Sequence, residues 1–350
     1  MAEDKNNPGR KEGFLKRKNI EFSLKRYGVD ALGHMALGLF GSLIIGLILR
    51  EIGDKLGIPF LVETVWPLAQ QMTGPAIAVA VAYGLKAPPL VIFASTLTGA
   101  AGGALGGPVG AFVAGVVGAE FGKLVSRETK VDIIVTPAVT IIAGVLAGQF
   151  VGPAVATFMR GFGQLIMYAT ELHPIPMGSL VAVLVGMALT LPISSAALAI
   201  SLELGGIAAG AATVGCACQM VGFAVGSYRE NRVGGLFSQG LGTSMLQIPN
   251  VVKNPLIWIP PTLASAILGP FVTTIARLEN IPAGAGMGTS GLVGQFGTIA
   301  AMEAAGLGGA SMYIKILLFH FLLPAFLSLM IFEAMRRMGY IKFGDMKLDQ

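Results

Sequence analysis

Between residues 29 and 335 the chain is a succession of apolar runs, at 29–50, 60–83, 88–120, 131–157, 178–202, 206–227, 255–276 and 310–335. Most are near the length of about 20 residues that lets a helix cross the roughly 30 Å hydrocarbon core of a bilayer. Two stretches break the pattern. Residues 233–254 and 283–304 are rich in Gly, Ser, Thr and Gln and too weakly apolar for simple spans. They are expected to be re-entrant or broken helices, because irregular backbone at membrane depth persists only where protein or a water-filled cavity satisfies it. The pattern predicts an all-α polytopic membrane protein with about 8–10 transmembrane helices and two or more broken or re-entrant segments.

Composition agrees. The 350 residues are 54% hydrophobic and 12% charged, with mean hydropathy +0.73, whereas a soluble domain carries about twice that charge. The first 28 residues hold Lys5, Arg10, Lys11, Lys16, Arg17, Lys18, Lys25 and Arg26 against four acids, too much charge for the apolar core of a signal peptide. The positive-inside rule places this stretch in the cytoplasm. The basic C-terminal RRMGYIKFGDMKLDQ is expected on the same side, which requires an even number of crossings. The expected organisation is a cytoplasmic tail at 1–28, a membrane domain at 29–338 and a second cytoplasmic tail at 339–350. Juxtamembrane lipid contact explains the basic tails better than nucleic acid, so no nucleic-acid partner is expected.

Other motifs carry little chemistry. Cys216-Ala217-Cys218 lacks the four-ligand spacing of zinc and the C-x-x-C spacing of redox pairs, so ordinary buried thiols and no metal are expected. Gly286-Met287-Gly288-Thr289-Ser290-Gly291 fits a dinucleotide fingerprint only by letter, since no βαβ context surrounds it. No Walker A sequence occurs, no cofactor is implied, and His34, His173 and His320 lack local partners for catalysis. Gly102, Gly106 and Gly110 sit four apart, a spacing that brings helices close, and Pro108 beside them allows a break. Glu203, Glu303 and Lys315 interrupt apolar runs. Each either reaches the interface from a helix end or lines a cavity, in which case Glu203 and Glu303 are candidates for proton coupling. Weak similarity of 176–187 to 286–297, and of 135–148 to 259–271, suggests an internal repeat of the kind secondary transporters use.

Three polar clusters stand out. Ser244, Gln247, Asn250 and Asn254 are interleaved with Pro249 and Pro255; Thr289, Ser290 and Gln295 follow a second Gly-Thr-Ser unit; Ser194 and Ser195 follow Pro192. Proline breaks a helix and frees carbonyls, so these groups either line a cavity for a small polar solute or satisfy one another between helices.

With these residues in view, the chain resembles the membrane permease, enzyme IIC, of the phosphoenolpyruvate-dependent sugar phosphotransferase system. The likeness is to the fructose-type branch, and most closely to a stand-alone group described as toxin regulators; it is clearest over residues 130–275. The family's P-V-N-K-A-A-Y-A falls on Pro192-Ile193-Ser194-Ser195-Ala196-Ala197-Leu198-Ala199. Its T-E-G-A-I-P-F falls on Ser244 to Asn250, and the following P-L-x-x-I-P on Pro255 to Pro260. Its P-H-G-G falls on Pro282 to Ala285. The family's sugar-binding glutamate is thus replaced by Met245, its Asn-Lys pair by Ser194 and Ser195, and its histidine by Ala283. The resemblance implies a homodimeric permease in a bacterial cytoplasmic membrane, moving a small polar solute by alternating access, with separate IIA and IIB proteins as partners. The alternative it implies is a membrane sensor that keeps the fold without phosphotransfer.

Overall fold

The computed structural model of the chain describes residues 13–348; Lys5, Arg10 and Lys11 of the basic stretch lie outside them. Among the described residues the regular structure is helical. In chain order α1 is Arg26–Leu56, α2 Trp66–Gly84, α3 Pro89–Val125, α4 Asp132–Thr170, α5 Pro174–Thr190 and α6 Ser195–Ser201. Then follow α7 Gly206–Gly226, α8 Tyr228–Phe237, α9 Ile248–Lys253, α10 Pro255–Ala276, α11 Val293–Ala304 and α12 Ala310–Arg337. Six of them (α1, α3, α4, α7, α10 and α12) are long and apolar enough to cross a membrane.

The glycine-rich run in α3 is a turn as well as a packing surface. Gly106 leaves helical geometry and Gly107 takes φ 57°, ψ −148°, a conformation open to glycine and costly for L side chains. Pro108 then starts a new arm with its φ already helical. The two arms run antiparallel: a Cβ on Gly102 would lie 2.3 Å from the Gly110 carbonyl oxygen, and Val91 lies against Gly122. The apolar run expected as one segment at 88–120 is therefore a helical hairpin. Against it packs α4, through Gly144 on Thr98, Gly148 on Gly102 and Gly152 on Leu105. At 39 residues α4 is about 58 Å long, so it continues past the hairpin tip and reaches Leu202 through Gly163.

The second half is built around α7, which is buried on almost every side. Small residues make this possible. A Cβ on Gly215 would lie 1.9 Å from the Ala182 carbonyl oxygen, and one on Gly210 would lie 1.9 Å from that of Leu278. Cys216 and Cys218 are free, buried thiols here, as expected. Neighbouring pairs fix directions. Cys216 beside Val185 and Gln219 beside Thr190 make α5 parallel to α7. Ser265 on Gly215 and Thr262 on Gln219 make α10 antiparallel.

The two ends of the described chain meet at one end of the molecule, here the near end. Lys18 donates to the Ser126 carbonyl, Val252 lies against Gly28 and Asn250 donates to the Lys347 carbonyl. The basic loops at 123–130 and 229–232 lie at this end too, since Asn231 donates to Met346 O.

Candidate functional site

Both segments expected to be re-entrant are so. Residues 228–254 leave the near end of α7, descend to Ser244 beside Gln219, and return through α9. Residues 281–304 start from Asn280, paired with Gly206 at the far end of α7, rise to Gly288 against Cys216, and return through Gly294 beside Thr213. Their tips meet at mid-depth. The Thr289 hydroxyl donates to Gly240 O and the Ser290 hydroxyl donates to Gly242 O at 2.8 Å, so the two Gly-Thr-Ser units interlock. Non-helical backbone satisfied by the opposite loop is what a protein-lined membrane interior demands. The turn between α5 and α6 joins them: Ser195 donates to Gly286 O at 2.7 Å, and Thr190 Oγ1 and Ser244 Oγ are 2.8 Å apart.

Sequence reasoning passed over the residue at the centre. Gln219, on the most buried face of α7, is fully buried. Its Oε1 accepts from Thr190 at 3.2 Å and from the Trp258 indole at 3.0 Å, while its Nε2 donates to Thr262 at 3.0 Å. A lone glutamine inside GCACQMVGF gives no local signal; its three partners come from two other elements, α5 and α10. Asn280, equally unmarked in the sequence, ties the far segment together by donating to Thr213 at 2.6 Å and to Gly294 O at 2.9 Å.

The remaining predicted residues divide. Ser195, Ser244, Thr289 and Ser290 gather at the tips. Gln247, Asn250 and Asn254 lie nearer the near end and grip the C-terminal segment. Gln247 Nε2 donates to Gln239 Oε1 and to Met346 O, each at 2.9 Å; Asn250 donates to Gln247 Oε1 at 2.8 Å and to Lys347 O at 2.9 Å; Asn254 donates to Asp345 Oδ2 at 2.8 Å. Ile341 and Met346 are buried beneath this clasp. Glu230 joins it by accepting from Gly344 N–H at 3.0 Å; burial pushes its carboxyl above the usual range, opposed by that bond and by Arg336. Gln295 lies apart, paired with His320 at 3.0 Å. Ser194 caps α6 by accepting from Ala197 N–H. Glu203 is exposed in a turn and Glu303 is exposed at the end of α11, both at the far end, away from the tips. Of the repeat-related stretches, 176–187 lies in straight α5 and 286–297 in the far segment's turn. A cavity of about 740 Å³ between α4 and α6, lined by Arg160, Gln164, Glu171, Leu198 and Leu202 among others, includes none of the predicted site residues.

The described part of the N-terminal stretch is anchored at the near end as well. Lys123, 1% exposed, pairs with Glu120 at 2.8 Å and donates to Asn19 O and Leu85 O. Lys18 and Arg17 bond Glu128, which holds that carboxyl below its usual range.

Set against known proteins, residues 29–348 match the model of the family described as "Phosphotransferase system, EIIC". No curated protein and no solved structure matches the chain.

Proposed function

This chain belongs to the phosphotransferase-system EIIC family, which marks it as a multi-pass sugar-transport permease subunit, and from that premise we propose where its solute binds and how it moves. The carrying observation is the meeting of two re-entrant segments, one from each end, at hydroxyl-bearing tips, with Ser244 linked through Thr190 to Gln219. Separation of the tips exposes Ser195, Ser244, Thr289 and Ser290 to one side and then to the other, which is alternating access to a small polar solute. Ser194, Gln247, Asn250, Asn254 and Gln295 lie outside the tips and support the segments that carry them. The near end faces the cytoplasm of a bacterial cell, because Lys86, Lys123, Arg127, Arg229, Arg232 and Lys253 cluster there. The working unit is a homodimer, served by separate IIA and IIB proteins.

A thermal-shift screen of the purified protein against hexoses, hexitols, amino acids and carboxylates tests this. A bound solute at 100 times its Kd adds about 2.7 kcal/mol, and the shift should vanish in Ser244→Ala and in Gln219→Ala. A folded protein that no sugar or hexitol shifts would sink the reading.

A second reading, a membrane sensor, is favoured by one observation: the described residues of both tails are bonded into the near end. It predicts solute binding without flux, and loss of the response on deleting residues 1–26. Flux that survives the deletion supports the permease.

A further inference from the structure

His320 is fully buried in the middle of α12. It sits within Leu318–Leu322, a π-helical turn inside an otherwise α-helical span. Such turns interrupt the i, i+4 ladder and occur often at functional sites. The imidazole Nδ1 is 3.0 Å from Nε2 of Gln295, at the start of α11 and so on the returning arm of the far re-entrant segment. Three further polar atoms of this cluster, His320 Nε2, Gln295 Oε1 and Thr298 Oγ1, are buried without a hydrogen-bond partner in the protein. Thr298 lies one turn beyond Gln295 and is fully buried. An ionisable side chain at this depth is costly to keep and is commonly part of an ion or proton pathway.

We propose that His320 is a proton-binding site that governs the far re-entrant segment, an inference that rests on the permease reading of that segment. As placed, the Gln295 amide NH2 donates to a bare Nδ1, so the proton of the neutral ring is on Nε2. A proton arriving at Nδ1 makes both ring nitrogens donors. The amide hydrogens then oppose an N–H, and the contact survives only if the amide turns over to present Oε1. One proton therefore selects between two arrangements of the bond that holds α11 to α12, and the unpartnered Thr298 hydroxyl lies one turn from the amide.

The titratable groups on the packed elements leave His320 this role. α7 offers Cys216 and Cys218, buried thiols, and α10 carries none. α11 carries Glu303, exposed at its far end. On α12 itself, Lys315 lies toward the far end, and Glu333, Arg336 and Arg337 lie at the near end, where Glu333 pairs with Arg229 and Arg336.

The test uses the full chain in lipid nanodiscs without solute, so it stands or falls separately from the permease reading, which flux decides. A nitroxide is placed on Met287→Cys in a Cys216→Ala, Cys218→Ala background, and its mobility is followed from about pH 8 to about pH 5, across the ordinary imidazole range. The ratio of mobile to ordered label should change with pH, by up to about tenfold per pH unit for one coupled proton. The change should disappear in His320→Gln, which keeps an amide hydrogen bond and loses the proton. A label that ignores pH in the parent, or responds equally in His320→Gln, overturns the proposal. Should that variant fail to fold, [15N]histidine NMR of the natural chain decides. With His34 and His173 assigned by substitution, an imidazole at 320 that titrates while the protein stays folded supports the proposal. One that never takes a proton over the folded range ends it.

Discussion

The two re-entrant segments carry the same Gly-Thr-Ser unit and enter from opposite ends, yet their polar groups are satisfied very differently. On the near segment, Gln239, Gln247 and Asn250 bond one another, Ser227 and the carbonyls of Met346 and Lys347, and Asn254 bonds the Asp345 carboxylate. On the far segment, Asn280 is fully used, whereas Gln295 Oε1 and Thr298 Oγ1 have no protein partner. A buried amide bonded at both ends resists displacement; an unpartnered one leaves its segment less firmly held. The contrast points to the far segment as the moving half and to the near segment, clasped by the C-terminus, as the wall it moves against.

The most severe test removes the wall both segments share. Gly215→Val sets a side chain into the Ala182 backbone, where relaxation is limited, and should cost about 3 kcal/mol or more; loss of the folded monodisperse peak in detergent chromatography checks it. Deleting residues 340–348 comes next. It removes the buried Ile341 and Met346 and strips partners from Asn231, Gln247, Asn250 and Asn254, at about 1–3 kcal/mol for each buried group left unpaired. Hydrogen exchange should then rise across 238–254 and stay unchanged across 281–304. Equal loosening of both would erase the contrast.

A matched pair sharpens it further. Gln247→Leu removes one partner each from Gln239, Asn250 and Met346 O and should lower stability by about 2 kcal/mol. Thr298→Val removes a hydroxyl that has no partner and should be neutral or stabilising, within about 1 kcal/mol. Thermal midpoints of the two variants, in one detergent, give the comparison directly.

The smallest effect is at the N-terminal anchor. Lys18 and Arg17 hold the Glu128 carboxyl below its ordinary range, so the docking it adds is complete above that range and is lost as pH falls through the lowered value. Anisotropy of a dye on Phe14→Cys should drop on acidification, and Glu128→Gln should show the low-pH value throughout.

Much of this was legible in the chain. Residues 233–254 and 283–304 announced themselves as re-entrant because, rich in Gly, Ser, Thr and Gln, they are too weakly apolar for simple spans, and the two cysteines of α7 as plain buried thiols. The α3 hairpin was half-visible: its glycines marked close packing and Pro108 a break, but only the positive φ of Gly107 shows the chain reversing. Gln219 and His320 were not legible as site residues, because a single polar residue in an apolar helix looks the same whether or not distant elements bring it partners.

What the sequence determined by itself is the solvent of each segment: which stretches tolerate lipid and which must be enclosed. That information is local, set by side-chain transfer energies residue by residue. The tertiary structure alone decided the use of the polar groups. Gln247, Asn250 and Asn254 clasp the C-terminus, whereas Ser195, Ser244, Thr289 and Ser290 gather where the tips of the two segments meet. A hydrogen bond joins two groups, and here the second group comes from elsewhere in the chain: its identity is fixed by packing, through glycine contacts that admit one approach of the helices.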